Sequence, residues 1–162
     1  MRKSKNFYAV AGAVWCLLFS LISFYWASGG MAGVQTLGGV IYQKAFERES
    51  SFIAIVWITG FIKLIGGIFL LLLLRKWSKI LNQVLFFLAL MGGIFLFLYG
   101  LANFVTILLS VVGYMSLQIE NYAAKWRLFF WEPFWMLGGV LFILSALKFN
   151  RENKSTTEVK GG

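Results

Sequence analysis

Residues 52–103 read FIAIVWITGFIKLIGGIFLLLLL, then RKWSK, then ILNQVLFFLALMGGIFLFLYGLAN. Two apolar runs, 52–74 and 80–103, are parted only by the basic turn 75–79. A helix crosses a bilayer with about 20 predominantly apolar residues, and each run is long enough on its own. Neither has the polar face that a helix on the surface of a soluble domain would carry. This stretch therefore reads as a membrane hairpin, and it sets the frame for the rest of the chain.

Two further runs, 7–28 upstream and 128–147 downstream, complete a set of four. The composition agrees: of 162 residues 60% are hydrophobic, 19% aromatic and 13% charged. Soluble domains run at about 45–50% apolar and about 25% charged. The expected fold is an all-α membrane protein, a bundle of four transmembrane helices forming a single domain over 1–149. A disordered polar tail is expected over 150–162.

Fifteen Lys and Arg against six Glu leave a formal charge of +9. The basic residues flank the apolar runs and form no stripe interleaved with stacking aromatics, so nucleic acid is not an expected partner. Basic residues beside spans orient membrane proteins by remaining in the cytoplasm. Arg2, Lys3, Lys5, Arg75, Lys76, Lys79, Lys148, Arg151, Lys154 and Lys160 fall on one side; Lys44, Arg48, Lys125 and Arg127 fall on the other. Ten against four puts both termini in the cytoplasm. The first run resembles a signal peptide, but it is longer than the usual h-region of about 7–15 residues and carries Tyr25 and Trp26 at its end, so an uncleaved helix is expected.

Residues 80–117 are almost continuously apolar, and as one helix would measure about 57 Å against a hydrocarbon core of about 30 Å. The third span is therefore ended near Asn103, with 104–118 read as an extracellular or interfacial extension. The loop 29–51 is Gly-rich and then weakly amphipathic through Val34, Leu37, Ile41 and Ala45, as suits a segment lying along the outer interface. Glycine pairs fall near mid-span: Gly66–Gly67, Gly92–Gly93 and Gly138–Gly139. The first run has a small-residue stripe, Gly12, Cys16, Ser20, Ser23 and Ala27. Small residues mark helix contact faces in lipid, so these are read as packing.

The chain has no His, no Asp, one Cys and one Pro. No zinc or haem site and no activated Cys–His nucleophile can be built from that set, and neither a cofactor nor a metal is expected. The chemistry-bearing residues are the charges inside the spans. Lys63 lies with Gly60 and Gly67 at helical spacing, and Glu132 lies likewise with Trp135 and Gly139, so both face the bundle. The reading pairs them, as a structural ion pair or as a ligand site. Tyr25, Trp26, Tyr99, Asn103, Arg127 and Trp135 gather toward the same outer half, as interface anchors or as the lining of an aromatic vestibule. Pro133 sits harmlessly in a first turn if the fourth helix starts there; if the helix starts near Lys125, it kinks the helix and frees a carbonyl beside Glu132.

Four segments carry a resemblance: Ser23-Phe24-Tyr25-Trp26-Ala27-Ser28-Gly29-Gly30, Gly60-Phe61-Ile62-Lys63, Phe97-Leu98-Tyr99-Gly100-Leu101-Ala102-Asn103, and Arg127-Leu128-Phe129-Phe130-Trp131-Glu132-Pro133-Phe134-Trp135. Over about residues 7–149 the chain resembles an uncharacterised family of small bacterial four-helix membrane proteins, one of the domain-of-unknown-function families. The resemblance implies an integral membrane protein and brings no catalytic residues. The residues themselves favour a multi-pass protein of the plasma membrane with the lipid bilayer as its partner, and the resemblance implies that the membrane is bacterial. Its outward-facing pocket, formed by Lys63, Glu132, Asn103, Tyr99, Tyr25, Trp26, Trp135 and Arg127, would hold a lipid headgroup or small amphiphile. A small transporter or ion-coupled carrier using Lys63 and Glu132 is the alternative, opposed by the lack of inverted repeats. An intramembrane enzyme has the least support, since nothing supplies an activated nucleophile.

Overall fold

A chain surrounded by hydrocarbon must satisfy its backbone polar groups internally, and long apolar runs without Pro do so as helices. The computed structural model of the protein describes residues 7–117 and 119–158, with side chains as far as residue 153. Its elements are α1 (Phe7–Ala27), a 3-10 turn (Val34–Thr36), α2 (Gly39–Phe46), α3 (Ser50–Leu72), α4 (Lys79–Val111), α5 (Asn121–Trp126), a π-helical segment (Arg127–Trp131) and α6 (Glu132–Glu158). Four stretches are long and apolar enough to cross a membrane: α1, α3, α4, and the continuous helix formed by α5, the π segment and α6. The molecule is a multi-pass membrane protein, and outward-facing Ile62, Phe87 and Phe95 are the side chains lipid would cover.

The four helices pack as two close pairs, α1 with α3 and α4 with α6, joined where α1 meets α6. The glycine pairs make these contacts possible. A Cβ on Gly139 would lie 2.6 Å from the Phe97 nitrogen and 2.7 Å from the Gly93 carbonyl oxygen, so α4 and α6 touch backbone to backbone. Gly138 instead makes room for the Trp15 indole, and Gly67 seats Cys16. Although a short turn joins them, α3 and α4 are not a close pair: the Phe142 ring of α6 stands between Gly66 and Gly92. Trp15, Cys16, Phe19, Leu70, Ala89 and Phe142 are central to the core. The turn itself is capped at both ends. The Trp77 indole donates to the Leu72 carbonyl at 2.8 Å, and Ser78 accepts the Leu81 amide at the start of α4.

Three boundaries differ from those expected. The third helix does not stop near Asn103 but continues to Val111, about 50 Å in all. No helix breaker intervenes before Gly113, and the extension has its own small core in which Ile107 packs with Ala124 and Leu128. The fourth helix correspondingly starts at Asn121, seven residues before the expected position. At the other end α6 runs to Glu158, past the expected boundary at Asn150, because 150–158 contains neither Gly nor Pro to stop it. Residues 159–162 and the N-terminal Arg2, Lys3 and Lys5 lie outside the described residues.

The loop after α1 is pinned to the opposite helices. Val34 and Thr36 are buried, and Gly38, at φ +70°, lies so close to Ala123 that a Cβ there would collide with the alanine methyl. In contrast, α2 buries none of its residues.

Candidate functional site

Pro133 shapes the first polar cluster. It has no N–H, and in a regular α-helix its ring would clash with the carbonyl four residues back. The helix widens just before it: the Glu132 amide bonds the Arg127 carbonyl, five residues away. In α geometry, at about 100° per residue, side chains five apart point about 140° away from each other. The π segment brings them onto one face. Arg127 then grips a single carboxylate oxygen of Glu132, with Nε at 2.9 Å and Nη2 at 2.7 Å. The Glu132 side chain is only 3% exposed, against 22% for Arg127, so the guanidinium bridges from the buried carboxylate toward the surface. Arg127 Nη2 also donates to Asn103 Oδ1 at 3.5 Å, while Asn103 Nδ2 donates back to the Tyr99 carbonyl at 2.8 Å. The cluster rests on Gly100, where a Cβ would meet the Glu132 carbonyl and the Trp135 side chain at 2.9 Å.

Lys63 belongs to a second cluster. Its ammonium donates to the Ser23 hydroxyl at 2.8 Å and lies 4.0 Å from the centre of the Phe19 ring and 5.4 Å from that of Trp135. Ser23 in turn donates to the Phe19 carbonyl at 3.1 Å, so one hydroxyl both accepts and donates. Nearby, Ser20 ties α1 to α3 through the Gly60 carbonyl at 3.0 Å. The Tyr99 ring meets Trp135 edge to face, with centres 5.3 Å apart, and so connects α4 to this aromatic wall.

The expected Lys63–Glu132 pair is not formed. The Lys63 ammonium is bonded to Ser23 and lies against the Phe19 and Trp135 rings, while Glu132 belongs to the neighbouring cluster at Gly100. Arg127 occupies the Glu132 carboxylate instead. The π segment explains the difference, because it turns Arg127, five residues away in the same helix, onto the carboxylate.

Of the other expected site residues, Trp26 meets Trp131 with the rings tilted and their centres 5.5 Å apart, and it donates its indole N–H to the Ala32 carbonyl at 2.9 Å. Tyr25 is 48% exposed and folds back onto the loop, its hydroxyl accepting the Ala32 amide at 3.4 Å, so it joins neither cluster. Three contributors were not singled out from the sequence for these roles. Phe19 and Ser23 hold Lys63, and Thr36 accepts the Trp131 indole N–H at 2.8 Å, latching the first loop to the π segment. Ser23 carried a signal: it lies in the small-residue stripe of α1, a hydroxyl on the face turned toward a lysine-bearing neighbour.

Outside the spans, the Ser51 hydroxyl and then the Lys44 ammonium hold the Glu49 carboxylate below the usual carboxylate pKa. Lys44 and Glu49 are 2.9 Å apart and join α2 to the start of α3.

A protein-family model described as "Protein of unknown function (DUF3995)" matches residues 16–142. The chain belongs to this family. Neither a curated protein nor a solved structure matches it. The match runs from Cys16 to Phe142 and so takes in every residue of both clusters, together with the glycine pairs that pack the helices. In this family member, then, the buried carboxylate is neutralised within its own helix and the half-buried lysine is held by one hydroxyl and two aromatic rings.

Proposed function

We propose that this family member is an accessory protein of the bacterial plasma membrane that binds the anionic headgroup of a lipid or small amphiphile, with Lys63 as the anchoring charge. Its termini are cytoplasmic, α2 lies along the outer interface, and the site opens outward. One observation carries the reading: Lys63 has no carboxylate partner among the described residues. Glu132 is taken by Arg127, so the two clusters together hold one positive charge more than they hold negative.

Charges inside membranes are kept in spite of an insertion cost of about 2.5–3.5 kcal/mol, and they tend to mark functional sites. A cation held against Phe19 and Trp135 regains up to about 2 kcal/mol of that from the rings. An anion arriving beside it would complete the charge balance. The Tyr99 and Trp135 rings offer apolar surface for the attached chain, and the loose α3–α4 pairing provides a side from which an amphiphile can approach. Ion-coupled transport gains no support here, since the carboxylate such coupling would use is already bound to a guanidinium.

The test is native mass spectrometry of the purified protein titrated with dodecyl phosphate. Wild type is expected to retain the alkyl phosphate and Lys63→Met to lose it. Equal retention by the two proteins, or none by wild type, overturns the reading.

A further inference from the structure

On the face of the bundle away from these clusters, α1 and α3 leave an apolar groove of about 320 Å³ between them. Its walls include Val10 and Val14 of α1 and Ile68 and Leu71 of α3, each 42–54% exposed, and its floor is Ala13 and Gly67. The floor explains the groove: where α1 crosses α3 the contacting residues are small, so the backbones approach while the larger side chains on either side stand apart. One end of the groove is charged. Ile68 and Leu71 line the groove near the end of α3, and Arg75 follows four residues after Leu71 in the turn that closes the helix. Arg75 and the adjacent Lys76 are both exposed, and neither forms an ion pair with a described residue.

An apolar trough whose α3 wall runs toward two exposed cations, unpaired among the described residues, is complementary to an anionic phospholipid. We infer that this groove is a binding site for an anionic phospholipid, with an acyl chain along Ala13 and Gly67 and the phosphate at Arg75 and Lys76. The site is at the basic-turn end of the molecule and does not rest on the proposed role of Lys63. A chain in the groove replaces mobile lipid with a bound one, and the two cations supply the headgroup selectivity that an apolar groove alone lacks.

Native mass spectrometry from mixed micelles containing equal phosphatidylglycerol and phosphatidylcholine tests this. Wild type is expected to retain phosphatidylglycerol in preference. The surface variant Arg75→Gln/Lys76→Gln, which disturbs no packing, is expected to lose that preference by on the order of tenfold. Ala13→Leu, which fills the floor, is expected to lower retention of both lipids, whereas Lys63→Met is expected to leave the preference unchanged. Equal retention of the two lipids by wild type overturns the inference. So does an unchanged preference in Arg75→Gln/Lys76→Gln, a preference abolished by Lys63→Met, or a lipid-free dimer that Ala13→Leu dissociates.

Discussion

At the scale of single residues, the charges of the two clusters are predicted to respond to mutation in opposite ways. Arg127 neutralises a carboxylate that is almost wholly buried, and removing it strands that charge. Breaking such a pair from one side costs about 3–5 kcal/mol, whereas replacing both partners by neutral groups is far milder. Arg127→Met is therefore expected to lower stability in detergent by about 3 kcal/mol, and adding Glu132→Gln to recover much of the loss. Equilibrium unfolding of the two single mutants and the double mutant measures the coupling, and the same cycle on Lys63 and Glu132 is expected to show none. Lys63→Met should behave differently again. Its partners are one hydroxyl and two ring faces, so an apolar side chain of similar length leaves no opposite charge stranded. Its melting temperature is expected to equal or exceed that of wild type even as anionic-amphiphile binding is lost; a marked fall in melting temperature would make Lys63 a structural residue.

At the scale of elements, the π segment is what makes the Arg127–Glu132 pair possible, and Pro133 is the physical reason for the segment. Alanine is the better helix former, so Pro133→Ala would stabilise an ordinary helix. Here it permits α geometry through Arg127–Trp131 and turns the two side chains about 140° apart. The expected result is a loss of stability comparable with that of Arg127→Met. A gain in melting temperature would show that the pair survives without the bulge. Between α2 and α3, Ser51→Ala and Lys44→Gln should each move the Glu49 titration upward, followed by NMR of the carboxyl carbon. Because folding lowers this pKa, the link contributes above the unfolded pKa and is lost as the pH falls through the lower folded value. These elements also mark how far the sequence could be read. The apolar runs revealed four spans and the glycine pairs revealed their contact faces, since both depend on composition along one helix. Helix ends were less legible, because residues 104–111 are helical only by packing Ile107 on a segment read as loop. The Arg127–Glu132 partnership was hidden for a geometric reason: a five-residue separation points apart in every α-helix, and only Pro133 hinted that this helix was not one.

At the scale of the whole molecule, the proposed orientation in the membrane rests on charge. With four spans both termini lie on the same side, and ten basic residues flank the spans on that side against four on the other. The positive-inside rule counts basic residues near span ends and gives acidic residues little weight, so the Arg127–Glu132 and Lys44–Glu49 pairs do not alter the balance. A C-terminal fluorescent-protein fusion should therefore glow, a C-terminal alkaline phosphatase should be silent, and phosphatase inserted between Val111 and Asn121 should be active. The rule also predicts how the orientation fails. Replacing Arg75, Lys76 and Lys79 by Gln leaves seven against four, and the orientation should hold. Replacing Arg2, Lys3 and Lys5 as well leaves four against four, and the population should divide between the two orientations, with both reporters giving partial signal from one preparation. If the first set of substitutions alone divides the population, the turn between α3 and α4 dominates insertion and the termini follow it. If neither set does, orientation is decided by something other than flanking charge, such as the apolar extension of α4 resisting transfer. The proposed outward opening of the Lys63 cluster depends on the same result: with the termini outside, that cluster would open toward the cytoplasm and Arg75 and Lys76 would meet the outer leaflet.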